Sequence, residues 1–187
     1  MSFDLSVIPN KNIVLAVTGG IAAYKSAILV RRLKDAGFNV RVVMTEGAQA
    51  FITPLTFQAL SGNPVHTELL NPEAEAGMGH IELARWADLL LVAPASCDTL
   101  AKFAAGLADD LLSTLYLATK SPVWVAPAMN QQMWAAKATQ RNLNTLVEDG
   151  VHVIMPDAGS QACGDVGLGR MPEPEDLALQ VTQYFHR

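Results

Sequence analysis

With 187 residues and 20.0 kDa, the chain is sized for a single domain over residues 1–187, able to bury roughly 70% of the surface its unfolded form exposes. Half of the residues are hydrophobic and 17% are charged, which excludes a disordered chain, and the net charge of −5 argues against a nucleic-acid or anionic-membrane partner. The longest apolar run, Leu89–Ala95, falls far short of the ~20 residues that span a bilayer.

Five apolar runs read as strands in chain order: Asn12–Val17, Asn39–Met44, Asp88–Ala93, Pro122–Ala126 and Val151–Met155. None alternates strictly, so each is expected to be covered on both faces. Helical spacing fills the gaps. One helix is expected over Ile21–Ala36, stopping at Gly37. A second covers Leu100–Ala118, with Leu100, Ala104, Leu107, Leu111 and Leu115 on one stripe. Asn130–Glu148 and Pro174–Phe185 complete the set. Strand and helix in alternation predict an α/β fold, a doubly wound parallel sheet of the Rossmann or flavodoxin type. Ser61–His80 and Pro156–Pro174 are rich in Gly, Pro and polar residues and read as loops. Met1–Asn10 has no basic cluster followed by an apolar stretch, so no signal peptide is read, and the expected location is cytoplasmic. Cys97 and Cys163 form neither a disulfide framework nor a metal-ligand spacing. The thin polar faces of the helices point to buried subunit contacts.

In a doubly wound sheet, ligands lie beyond the carboxyl ends of the strands. The first strand ends in Thr18-Gly19-Gly20-Ile21, where two glycines let a backbone approach a ligand and the following helix start favours a phosphate. A plain tight turn is the alternative, because the third glycine of the dinucleotide fingerprint is missing. Lys25, one turn on, can add charge. After the second strand, Thr45 either caps a helix or meets a cofactor, and Glu46 reads as a solvent-facing helix-start residue. His80 sits at the start of a short helix beside Gly77 and Gly79, with Arg85 and Trp86 following. The third strand runs into Pro94-Ala95-Ser96-Cys97-Asp98-Thr99 and the fourth into Pro127-Ala128-Met129-Asn130-Gln131-Gln132-Met133-Trp134. Each supplies either an ordinary helix cap or a pocket wall. In Ser160-Gln161-Ala162-Cys163-Gly164-Asp165-Val166-Gly167-Leu168-Gly169-Arg170-Met171, Gly164, Gly167 and Gly169 are read as mobility. The thiol there is a nucleophile, a proton donor or an inert free cysteine.

Taken together, these segments resemble the homo-oligomeric flavin-containing cysteine decarboxylases over Lys11 to about Met171. The carriers are the Gly19-Gly20 turn, the His80 segment, Pro94–Thr99 and, at every position, the family pattern Pro-x-Met-Asn-x-x-Met-Trp over Pro127–Trp134. The family's usual Pro-Ala-Ser-Ala-Asn-Thr reads Cys97-Asp98 at its centre here; Asp98 accepts a hydrogen bond but donates no amide one. Ala162-Cys163-Gly164-Asp165 looks like the loop of the family branch that acts on 4′-phosphopantothenoylcysteine in coenzyme A synthesis. In bacteria that branch often forms the amino-terminal half of a bifunctional protein.

The resemblance implies FMN as cofactor. Gly19, Gly20 and Ile21 would hold its phosphate, and Thr45, Ser96, Cys97, Asp98, Thr99 and Ala128 its ring and ribityl chain. His80, Asn130 and Cys163 are the implied catalytic residues. Asn130 binds the substrate carboxylate beside Met133, and Cys163 returns a proton at the end. Ser160, Gln161, Ala162 and Arg85 are implied substrate contacts. A homotrimer or an assembly of trimers, with flavin near the subunit contact, is the implied state. A peptide-cysteine decarboxylase and a non-catalytic flavin-binding regulatory subunit are the alternatives; Cys163 speaks against the first, and His80 with Cys163 against the second.

Overall fold

The computed structural model describes residues 10–70 and 79–186. Met1–Pro9, where the absence of a signal peptide was read, and the centre of the Ser61–His80 stretch, including Gly77 and Met78, lie outside them. Five parallel strands form one sheet: β1 (Asn12–Val17), β2 (Asn39–Met44), β3 (Leu89–Ala95), β4 (Val123–Pro127) and β5 (His152–Val153), in the order β2-β1-β3-β4-β5. The expected strands are all present, the fifth shortened to two residues.

The lack of alternation has the expected cause. Ile13, Leu15 and Val17 point into one apolar layer with Leu89, Leu91 and Ala93. Val14 and Ala16 point into the opposite layer with Leu90 and Val92. Every side chain of β3 is buried, so a polar residue has no place along it. At about 1.5–3 kcal/mol for each fully buried large aliphatic side chain, the two layers dominate the stability of the fold.

Helix α1 (Ala23–Asp35) packs on the first layer, together with α9 (Pro174–Phe185). Between β2 and β3 come α2 (Glu46–Gln49), α3 (Pro54–Ser61) and α4 (Gly79–Trp86). Thr45 caps α2 by accepting from the Ala48 N–H, and Pro54 opens α3. The expected helix over Leu100–Ala118 is two helices, α5 (Cys97–Ala105) and α6 (Leu111–Ala118). Gly106 ends the first in the left-handed region, and Asp110 starts the second through a capping box with Ser113. Lys102 holds the break, with its Nζ 3.1 Å from Asp110 and 3.2 Å from Asp109. Burial opposes the charge on Lys102, but hydrogen bonds to Asp110 and Asp109 win and raise its pKa. Asn130–Glu148 also divides, into α7 (Gln131–Ala135) and α8 (Lys137–Glu148), at the extended residue Ala136. Within Pro156–Pro174 the chain forms an antiparallel hairpin, β6 (Asp157–Ser160) with β7 (Val166–Arg170). We call it the flap.

Candidate active site

The strand order reverses between β1 and β3, and beyond their carboxyl ends lies a cleft of about 460 Å³, within the range of small-molecule sites. Thr18 stitches the two strand ends together. Its hydroxyl donates to the Pro94 carbonyl at 2.7 Å and accepts from the Ser96 N–H at 2.8 Å, fully buried. One wall is the turn Gly19–Ala22 leading into α1. The α1 start has no side-chain cap, and its first turn has no acidic residue, so its N–H groups and dipole favour an anion. A Cβ on Gly19 would stand 3.1 Å from the backbone of Gly47, so the close approach of the turn after β1 to the start of α2 favours glycine at position 19.

The opposite wall is Ala128–Asn130 and Met133, and the flap closes over it with Ser160–Cys163 and Gly169–Met171. The flap seats closely. The Met129 N–H donates to the Gly169 carbonyl at 2.9 Å. Gln161 Oε1 accepts from the Gln131 N–H at 3.0 Å, and its Nε2 donates to the carbonyls of Met129 and Leu168, each at 3.2 Å. A Cβ on Gly169 would collide with the Met129 carbonyl oxygen, and one on Gly167 with the Gln131 side chain. Gly167 and Gly169 are thus docking residues rather than the mobile ones expected.

Asn130 caps α7: its Oδ1 accepts from the Gln132 N–H at 2.8 Å. That bond fixes which end of the amide faces the flap, and it is the N–H end. Asn130 Nδ2 lies 2.9 Å from Asp165 Oδ2 and 3.4 Å from Cys163 Sγ, and the Cys163 thiol lies 3.5 Å from the same Asp165 oxygen. Both cysteines are free, Cys163 exposed and Cys97 half-buried.

The cleft therefore gathers Gly19, Gly20, Ile21, Ser96, Cys97, Ala128, Asn130, Met133, Ser160, Gln161, Ala162 and Cys163. It does not gather Thr45, Asp98, Thr99, His80 or Arg85. Thr45 is spent on its helix cap, and Asp98 is exposed beside Lys102, 3.7 Å away. Thr99 is buried against the Ser96 hydroxyl. His80 and Arg85 lie on α4, the first half-buried and the second exposed. Among the described residues the cations lining the cleft are Lys25 and Arg170. Lys25 is buried, 2.7 Å from Glu173 and 3.0 Å from the Met171 carbonyl. Arg170 and Asp165 were given no role on sequence grounds. Asp165 is two residues from Cys163 and Arg170 seven, spacings that say nothing about what each faces.

The model of the flavoprotein family matches residues 4–186. The chain belongs to the flavoprotein family. Its relatives include the coenzyme A biosynthesis bifunctional protein CoaBC of Escherichia coli strain K12, 59% identical over 175 residues, which are 94% of this chain and 43% of that protein. This flavoprotein chain thus spans less than half the length of the curated relatives it matches. Among solved structures, a cysteine-to-serine mutant of PPC decarboxylase complexed with pantothenoylaminoethenethiol is 34% identical with a TM-score of 0.83, covering 95% of this chain and 100% of that one. The FMN-dependent cysteine decarboxylase SpaF is 28% identical with a TM-score of 0.82, covering 97% and 100%. The five-stranded parallel sheet flanked by helices is the fold of these neighbours. No described helix is long and apolar enough to cross a membrane.

Proposed function

We propose that this flavoprotein is an FMN-dependent decarboxylase of 4′-phospho-N-pantothenoylcysteine, forming 4′-phosphopantetheine for coenzyme A synthesis. We further propose that it works in the cytoplasm as one FMN-binding domain. The observation that carries the reading is the convergence of the flap thiol of Cys163 and the Asn130 amide, 3.4 Å apart, at the mouth of a cleft suited to a flavin. The uncapped, acid-free start of α1 fits a phosphate, and the apolar wall of Ala128, Met129, Met133 and Ala162 fits an aromatic ring. Gly19, Gly20 and Ile21 would hold the FMN phosphate, and Ser96, Cys97 and Ala128 the ring and its chain.

Direct loss of CO2 from the substrate would leave a carbanion with no neighbouring carbonyl to accept its electrons. A flavin held by Gly19, Gly20, Ile21, Ser96, Cys97 and Ala128 would supply reversible two-electron chemistry at the CH2–SH carbon, the chemistry that would let a C=S β to the carboxylate accept those electrons. Asn130 orients the carboxylate through its Nδ2–H. Being neutral, it does not stabilise the carboxylate in the ground state as a lysine would. His80 is the proposed acid–base group at the substrate thiol. Cys163 donates the proton that completes the product, and the net redox change is zero.

His80 stands off its own chain's cleft, which favours a homo-oligomer in which a second copy brings it to the flavin. The exposed Ile21 (61%), Tyr24 (56%) and Leu55 (70%) offer apolar surface for that contact. We propose a homotrimer or an assembly of trimers. Co-assembled His80→Asn and Cys163→Ser chains should regain the 4′-phosphopantetheine formation that neither has alone, and an assembly without any regain argues against the shared site.

The deciding experiment is Cys163→Ser with FMN bound. It should release CO2 and accumulate the ene-thiol by mass, while the unsubstituted protein forms 4′-phosphopantetheine. A neighbour with a cysteine-to-serine mutation is complexed with an ethenethiol, the compound class expected. A protein that takes up no FMN, or releases no CO2 from this substrate, refutes the reading.

A further inference from the structure

Cys163 and Asp165 flank Gly164 in one tight turn, closed by the Gly164 N–H donating to the Gln161 carbonyl at 2.9 Å and the Gln161 N–H donating to the Asp165 carbonyl at 2.8 Å. Gln161 is itself pinned to Met129 and Gln131, so the turn is anchored at its base and free at its tip. Asp165 stands at the closing end of the turn, and its carboxylate holds Asn130 Nδ2 at 2.9 Å. Because the Gln132 N–H fixes Asn130 Oδ1, the amide cannot flip to offer another face. The two N–H groups of that amide face Asp165 and the Cys163 thiol, so a substrate carboxylate that binds Asn130 comes up against the Asp165 carboxylate, and two ionised carboxylates sharing one site repel.

Resting on the decarboxylase reading above, we propose that Asp165 is a positioning residue, a resident carboxylate on Asn130 that the substrate carboxylate displaces. When it is displaced, the Cys163 thiol loses its 3.5 Å contact with that carboxylate and swings off Asn130 at the free part of the turn. When CO2 has left, nothing competes for the amide. Asp165 then returns, and the thiol comes back to within reach of Asn130 and the carbon beside it. The proton donor is thereby held off until the step that needs it. The device senses a carboxylate, not a thiol or a phosphate, so it separates substrate from product by the one group in which they differ most.

The test uses the FMN-loaded full chain and two ligands, with affinities read by calorimetry. The first is the substrate with serine in place of cysteine, which keeps the carboxylate and has no thiol to oxidise. The second is 4′-phosphopantetheine, which lacks the carboxylate. Asp165→Asn should bind the first about tenfold more tightly than the unsubstituted protein, the scale of one hydrogen bond to a charged group, and the second within about twofold. Asp165→Ala should show the same selectivity, so that the gain comes from the lost charge and not from a new amide contact. Equal changes for both ligands, or none, overturn the proposal. The unsubstituted protein gives a check that needs no variant. Saturation with the serine compound should speed alkylation of Cys163 by iodoacetamide, followed by mass at that residue, and 4′-phosphopantetheine should slow it. Protection by both overturns the proposal too. If the unsubstituted protein releases no CO2 from the true substrate, the decarboxylase reading falls and this falls with it. If it does release CO2 and the selectivity is absent, only the role of Asp165 is lost.

Discussion

Replacing Gly169 with alanine tests whether a docked flap is what makes the site. Gly169 is buried at φ +135°, a region that costs a side-chain-bearing residue about 1–3 kcal/mol. Its added Cβ would run into the Met129 carbonyl oxygen and stand 2.9 Å from Gln161 Nε2. The 2.9 Å hydrogen bond from the Met129 N–H to the Gly169 carbonyl cannot survive the shift, a loss of about 1 kcal/mol. The total is about 2–4 kcal/mol against docking. The flap can relieve this by lifting off locally without unfolding the sheet, so the penalty falls on the docked population and only weakly on global stability. At a factor of ten per 1.4 kcal/mol, kcat/KM for the proposed substrate should drop about 30-fold or more, with FMN content kept. Gly167→Ala should do less, because its clash is with the flexible Gln131 side chain. Unchanged turnover in Gly169→Ala would refute the docking argument. A thermal midpoint that falls as steeply as activity would refute the claim that the flap opens alone.

Lys25→Met removes the buried tie from α1 to the Met171 carbonyl and Glu173. It should lower the urea midpoint by the equivalent of about 1–3 kcal/mol at constant m-value, and an unshifted midpoint would show the tie to be dispensable. His66 bonds through its backbone along β2, with its N–H donating to the Val42 carbonyl at 2.9 Å. Burial, and next Arg41, hold its imidazole below the ordinary histidine pKa, although Glu82 pulls the other way. As pH falls through about 6.5, the unfolded chain therefore takes up this proton before the folded one does, and stability declines; above that pH the residue contributes no slope. The midpoint of the unsubstituted protein should fall more than that of His66→Gln between pH 7 and the acid side, and parallel curves would refute the assignment.

How much of this was legible in the sequence depends on where each residue's partner lies. Strands buried on both faces announce themselves as unbroken apolar runs, and the sheet was read from those runs alone. The helix breaks were not, because the apolar stripe of Leu100, Ala104, Leu107 and Leu111 runs straight across Gly106 and Asp110. In the fold Leu107 is 49% exposed, and the Lys102 ion pairs with Asp109 and Asp110 decide the bend. The flap hairpin was hidden for a related reason. β6 and β7 hold glycines and exposed residues, and what orders them is the Met129–Gln131 backbone, some thirty residues away in sequence. The roles of Cys163 and Asn130 came from motif resemblance. That Asp165 touches both is a fact of register in the flap turn, which no spacing along the chain reveals.

The polar groups of the cleft divide into two kinds. Thr18, Ser96 and Gln161 spend their hydrogen bonds on the protein itself, tying strand end to strand end, helix start to its own turn, and flap to wall. They hold the half of the cleft proposed for the cofactor in one geometry before anything binds, which is what positioning requires. Asn130 Nδ2, Cys163 and Asp165 are the other kind. Asn130 is half-buried and the other two are exposed; they bond to one another across the cleft mouth, with one long contact from the Cys163 thiol to Gln161 Oε1 at 3.9 Å, and none is fully buried. Exchanging any of those contacts for a ligand costs little, because each is exposed to water and worth roughly 1 kcal/mol net. A rigid floor and an exchangeable lid suit a reaction whose substrate must lose a charged group midway. On the proposed reading, the groups that orient the ring have no reason to move, and those that meet the carboxylate must let it go.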